Sequence, residues 1–128
     1  MPMNKLLDGW NARTGTAVAS AFAPDGVRVE IAKPGARLEG RDAIAAHTDG
    51  YFHVFSDFVL ENRGVSREGD TVTFEWTALG NHTGDMPGFP ASGRSVSLTG
   101  VSVCTMDGDL IAEERVYWDS ATLYGLMD

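Results

Sequence analysis

Thr105-Met106-Asp107-Gly108-Asp109-Leu110-Ile111-Ala112-Glu113-Glu114-Arg115-Val116-Tyr117-Trp118-Asp119 is the stretch on which the fold class turns. An Asp-Gly turn between two apolar, β-branched runs is a strong hairpin signal. It predicts that residues 95–106 pair with residues 110–118. In an extended strand, successive side chains point to opposite faces. Glu113, Arg115, Tyr117 and Asp119 therefore share one face, and Ala112, Glu114, Val116 and Trp118 the other. The first face gathers ionisable groups and ends on a carboxylate between a Trp and a terminal helix, so it is expected to point into a pocket.

Working back from this hairpin, a second one is predicted: residues 59–66, a turn at Arg67-Glu68-Gly69-Asp70, and residues 71–79, where Val72, Phe74 and Trp76 alternate with Thr73, Glu75 and Thr77. A Gly/Pro-rich loop, residues 80–93, joins the two hairpins. The first half of the chain has helical spacing instead. Leu7, Trp10, Thr14, Ala17, Val18, Ala21 and Phe22 recur at three- and four-residue steps and predict one helix of about five turns, with Asn4 as its cap. Pro24-Asp25-Gly26 is expected to stop it. A short strand follows, in which Val27, Val29 and Ile31 alternate with Arg28 and Glu30, ending at Pro34-Gly35. A second helix begins after Gly40, with Asp42 as its cap and Ile44, His47, Tyr51, Val54, Phe55 and Phe58 along one side, and ends near Ser56-Asp57. A terminal helix spans residues 120–126. The expected fold is α+β: a curved antiparallel sheet forming a cone, with the N-terminal helices packed over it.

The chain has 128 residues, the size of a single domain. Its 18 acidic against 10 basic residues give a net charge of −8 without a Lys/Arg cluster, which argues against nucleic acid or an anionic membrane as partner. No stretch approaches the roughly 20 apolar residues of a membrane helix, and no leader pattern opens the chain; a cytoplasmic location is expected. The single Cys104 lies in an apolar strand and reads as a small buried hydrophobe. No His-x-x-x-His, His-x-His or Glu-x-x-His spacing occurs, so no metal is expected. Neither a Gly-x-Ser-x-Gly elbow nor a glycine-rich dinucleotide loop is present, which argues against a serine hydrolase or a Rossmann enzyme.

Three further pieces join the closing hairpin in a resemblance: Gly40-Arg41-Asp42-Ala43-Ile44, Asn81-His82-Thr83-Gly84 and Gly93-Arg94-Ser95-Val96. Together they resemble the SnoaL-like polyketide cyclases of the nuclear transport factor 2-like superfamily, which also holds ketosteroid isomerases, scytalone dehydratases and limonene epoxide hydrolases. The resemblance covers nearly the whole chain and implies an apolar cavity roofed by helices. It also implies cofactor-free acid–base chemistry next to a carbonyl, and a homodimer packed through the convex sheet face. The family's general acid/base is an aspartate at the end of the closing strand, and Asp119 matches it.

Asp119 is thus the first catalytic candidate, although it is also placed to cap the amides of Ala121 or Thr122. In an apolar pocket its pKa would rise toward the operating pH. His82, at a strand end, can donate to a carbonyl oxygen or assist Asp119, or else only fix its loop. Arg115 and Tyr117 share the face of Asp119 and are candidate donors to a substrate oxygen, with Arg115 alternatively paired to Glu113 or Glu75. Trp10, Tyr51, Phe55 and Trp76 are expected to line the cone for a flat, apolar ligand, with His47 beside them; His53 reads as surface. Residues 86–89 form a candidate lip at the mouth. The expected function is a cofactor-independent cyclase or isomerase acting on an apolar, polycyclic carbonyl metabolite. The alternatives are a non-catalytic binding protein using the same cavity and, ranked last, an epoxide hydrolase.

Overall fold

A computed structural model describes residues 3–32 and 35–127. The elements in chain order are α1 (Asn4–Ala12), α2 (Gly15–Ala19), β1 (Phe22–Glu30), β2 (Ala36–Glu39), α3 (Arg41–Val54), β3 (Val59–Glu68), β4 (Thr71–Asn81), β5 (Ser95–Asp107), β6 (Leu110–Trp118) and α4 (Ser120–Met127). One six-stranded sheet has the order β2-β1-β6-β5-β4-β3. The fold is α+β, as expected, with two corrections to the sheet. It curves without closing, since β2 and β3 lie at opposite edges, and β1 runs parallel to β6 while every other pair is antiparallel.

The N-terminal half departs most from the sequence pattern. The single first helix is two helices, broken at Arg13, whose φ of 58° is left-handed. Thr14 caps α2 by accepting from the Ala17 amide at 3.3 Å, and α1 follows Met3 with no side-chain cap from Asn4. The break lets α2 fold against α3. The Gly15 amide donates to Asp49 Oδ1 at 2.6 Å, and a Cβ on Gly15 would run into the Ala45 carbonyl. Pro24-Asp25-Gly26 does not separate helix from strand but lies inside β1. The register of β1 against β6 is irregular there, with Phe22 opposite Ile111 and Val27 opposite Glu113. Strand β2 went unpredicted, being four residues long and rich in charge, and the expected stop at Pro34 lies outside the described residues.

Side chains clamp the helices to the sheet's concave face. Asn11 on α1 exchanges two hydrogen bonds with the Leu60 backbone, of 3.0 and 2.8 Å. Arg41, at the start of α3, donates from Nε and Nη2 to the Phe22 carbonyl at 2.9 and 2.7 Å. Between the layers Leu6, Val18, Phe22, Ile44, Val72, Phe74 and Ile111 are almost wholly buried.

The closing hairpin carries the decisive irregularity. Thr105 lies opposite Glu113 and Met106 opposite Ile111, so β6 has one extra residue, Ala112, at a bulge. A bulge breaks strict alternation and turns the following residues to the other face. Ile111 points inward, and after the bulge Glu114 and Val116 are the buried residues, while Tyr117 is exposed. The face expected to line a pocket is the outer one.

Replacing Gly15 by Ala is expected to cost about 1–3 kcal/mol through overpacking, because the Ala45 backbone is too rigid to yield. Urea unfolding followed by circular dichroism measures this.

Candidate active site

A cavity opens between the helices and the concave face of the sheet. Its volume is about 70 Å³. Most of the wall is apolar: Leu6 and Trp10 of α1, Phe55 and Phe58, Leu60 of β3, Phe74 and Trp76 of β4, Val96 and Leu98 of β5, Val116 and Trp118 of β6, and Leu123 of α4. Trp76 reaches across β5 to donate its indole N–H to Ser102 Oγ at 3.0 Å. Gly100 makes room for that ring, since a Cβ there would collide with the indole.

Four polar residues reach the wall: Arg28, Tyr51, Ser102 and Glu114. Arg28 and Glu114 are adjacent partners in the parallel β1–β6 pairing, so both project to the same face. Arg28 is 4% exposed and Glu114 1%, and Arg28 Nη1 donates to Glu114 Oε1 at 2.6 Å. Two residues along β1, Glu30 takes Arg28 Nη2 on Oε2 at 3.1 Å. The Tyr51 hydroxyl donates to Glu30 at 2.6 Å to Oε1 and 2.9 Å to Oε2, and His47 Nε2 lies 3.1 Å from Oε2. The guanidinium also lies over the Trp10 ring, 5.1 Å from its centroid, in cation–π geometry.

The charges of this cluster are strongly held. Burial works against the Arg28 cation, but the carboxylates of Glu114 and Glu30 outweigh it and raise its pKa further. Burial likewise favours neutral Glu30, yet the hydrogen bond from His47, the charge of Arg28 and the Tyr51 hydroxyl bring it down to about 2. Cys104, wholly buried, is pushed up by burial and by the nearby Glu114, which suits an inert core thiol.

The predicted site residues divide into three groups. Trp10, Tyr51, Phe55 and Trp76 line the cavity, whereas His47 sits behind it, bonded to Glu30. His82 is wholly buried and joins the two ends of its loop: its amide donates to the Arg94 carbonyl at 2.9 Å, its carbonyl accepts from Gly93 at 2.8 Å, and Nδ1 meets Ser92 Oγ at 2.9 Å. It is absent from the cavity wall, and its Nε2 has no partner among the described residues. Arg115 and Tyr117 fall on the other side of the sheet from the cavity, a correction that follows from the bulge at Ala112, and Asp119 lies beyond the end of β6 and off the cavity wall. Arg115 pairs with Glu113 at 3.1 Å, and its pKa is raised by hydrogen bonding to Tyr117 and Glu113. Asp119 is exposed and caps α4, accepting from the Thr122 amide at 3.0 Å. The Thr122 hydroxyl and amide lower its pKa, where desolvation in a pocket would have raised it. In the segment expected to form a lip, Met86 and Phe89 exchange backbone hydrogen bonds of 3.0 and 2.8 Å in a closed tight turn, and neither lines the cavity. Among the described residues no three His, Cys, Asp or Glu side chains gather as a metal site.

Arg28, Glu30, Ser102 and Glu114 were not anticipated. Opposite charges two residues apart in β1 were the available signal, but Val27, Val29 and Ile31 looked like the buried phase. Ile31 is in fact 48% exposed, and the charged phase is the buried one.

The SnoaL-like polyketide cyclase model matches residues 3–125. The chain belongs to that family. Among solved structures, a Jannaschia sp. CCS1 protein assigned to the SnoaL-like polyketide cyclases is 23% identical, with a TM-score of 0.87 over 98% of this chain and 88% of that one. IdmH of Streptomyces antibioticus, assigned as a polyketide cyclase, is 19% identical with a TM-score of 0.82 over 97% and 94%. A Catenulispora acidiphila DSM 44928 protein with a ketosteroid isomerase-like fold, solved with trimethylamine, is 20% identical with a TM-score of 0.83 over 98% and 91%. At these identities the likeness is one of fold. No curated protein matches the chain significantly. Among the described residues no helix is long and apolar enough to cross a membrane.

Because the pKa of Glu30 is about 2 in the folded protein against an ordinary 4.5, its stabilising effect is complete above about pH 4.5 and is lost as pH falls through about 2. Across that window the wild type is expected to lose on the order of 3 kcal/mol more stability than Glu30→Gln. Urea titrations at stepped pH read the difference.

Proposed function

We propose that the protein is a cofactor-independent enzyme that moves a proton next to a carbonyl, as a cyclase or isomerase acting on an apolar ring compound. The observation that carries this reading is Glu114: a carboxylate on the wall of an otherwise apolar cavity, with a guanidinium 2.6 Å away. Glu114 removes a proton from the carbon beside the carbonyl, leaving an enolate. Arg28 donates through each of its three nitrogens to Glu30 and Glu114, and Nη1 and Nη2 each carry a second hydrogen for a substrate oxygen. As the proton leaves, negative charge passes from Glu114 to the enolate, and Arg28 faces both positions without moving. Preorganised donors of this kind are worth about 3–4 kcal/mol of barrier. Family membership supports the reaction class. The aromatic walls, Trp10, Phe55, Trp76 and Trp118, favour a flat ring system.

The test is proton NMR in D₂O with a panel of enolisable polycyclic ketones and β-keto esters, following deuterium uptake beside the carbonyl. Glu114→Gln is expected to lower the rate by roughly 10²–10⁴-fold, and Asp119→Asn to leave it near the wild-type rate. Equal rates for wild type and Glu114→Gln would sink this assignment. Ligand-induced shifts of the aromatic signals without deuterium uptake would favour the binding protein instead.

The active unit in this reading is a homodimer. Val29, Ile31, Val101, Val103 and Tyr117 supply apolar surface on the convex face, with Ile31 and Tyr117 48% and 43% exposed. Light scattering is expected to give twice the 13.7 kDa chain mass, and Tyr117→Glu to shift the mass toward that of one chain. A wild-type mass of one chain would rule the dimer out.

A further inference from the structure

Glu30 takes no part in the chemistry assigned to Glu114, yet it holds hydrogen bonds to two α3 side chains, one on the cavity wall and one partly exposed. Tyr51 lies on the cavity wall, and His47 keeps 30% of its side chain exposed. Both converge on one buried carboxylate, across 2.9 Å from the Tyr51 hydroxyl to Oε2 and 3.1 Å from His47 Nε2 to the same atom. A spacing of one helical turn on α3 brings the two side chains over Glu30 together, their rings packed edge to face at 5.4 Å.

We infer that Tyr51, Glu30 and His47 form a proton path between the cavity and solvent, with His47 as its outer terminus. The path rests on the proposed reaction for its use. When an enolate forms, the Tyr51 hydroxyl turns from Glu30 toward the cavity, its O–H bond breaks and its proton goes to the enolate oxygen. Tyr51 regains a proton from Glu30, which receives one from His47 Nε2, while His47 Nδ1 takes one from water, leaving hydroxide in the solvent. One proton thus moves from water to the substrate with no net change in Tyr51 or Glu30. Running the sequence backward on product formation restores the original His47 tautomer.

The strong ionisation of Glu30 does not block this traffic. Its carboxyl, held well below the ordinary carboxylate range by His47, Arg28 and Tyr51, carries a proton only in passage between His47 and Tyr51. Arg28, bonded to the same Oε2, keeps Glu30 empty of a proton between passages. His47 is therefore a positioning and relay residue, and Tyr51 is the group that meets the substrate.

The test needs no substrate. Proton NMR of the isotope-labelled full chain in water measures exchange of the Tyr51 hydroxyl proton with solvent. His47→Gln keeps an N–H donor toward Glu30 but cannot pass a proton, so hydroxyl exchange is expected to slow at least about tenfold, with the urea midpoint held near wild type. His47→Asn is the second variant should the first be unstable. Exchange as fast in the folded variants as in wild type would overturn the path. Slowed exchange supports it whether or not the ketone panel reacts, and a silent panel beside slowed exchange would count against the Glu114 reading alone.

Discussion

A single buried cation organises the interior of this protein. Arg28 sits between Glu30 and Glu114 with all three groups at most 6% exposed. Removing one partner from such a cluster typically costs about 3–5 kcal/mol, because an uncompensated charge is left out of water. The parallel pairing of β1 with β6, the inward phase of both strands and the position of α3 therefore depend on one another. β1 must lie beside β6 for Arg28 to reach Glu114, and α3 must cross β1 for His47 and Tyr51 to supply the donors that Glu30 still needs. One positive charge faces two negative ones, and the hydrogen bonds from Tyr51 and His47 offset the excess.

That constraint also shapes the cavity. A fully apolar core at this place would collapse to close packing. Here the aromatic walls are held apart by a sheet that curves without closing, by Gly100 leaving room for Trp76, and by Leu123 of the terminal helix covering one side. The result is an apolar space with a small, rigid polar end. In such a setting an ion pair is weakly screened, and a change of charge on a bound ligand is felt strongly.

The order of elements was largely legible in the sequence. Asp107-Gly108-Asp109 marked the closing hairpin, Gly69-Asp70 marked the one before it, and the apolar stripe from Ile44 to Phe55 marked α3. These signals are local: turn chemistry and a repeating side-chain spacing depend on a few neighbouring residues. The misreadings arose where distant parts of the chain meet. The spacing from Leu7 to Phe22 is helical throughout, yet Arg13 breaks it so that α2 can dock on α3. The aromatic lining, Trp10, Tyr51, Phe55 and Trp76, was legible because large apolar side chains facing a helix–sheet interface have few other places to go.

The polar end of the site was not legible, for a definable physical reason. By itself the sequence determined the α+β class, the two hairpins, the family and the aromatic material of the cavity. Which face of β6 looks inward was decided only by tertiary structure: Glu113 and Glu114 are neighbours of the same type, and either phase of the strand offered a carboxylate. One extra residue at Ala112 exchanged the faces, turning Arg115 and Tyr117 outward and Glu114 inward. The register of β1 on β6 then chose the charged phase of β1 as the buried one. A bulge carries no strong local signal, because it is stabilised by the pairing of strands and by the burial of Arg28 against Glu114, and neither exists until the chain has folded.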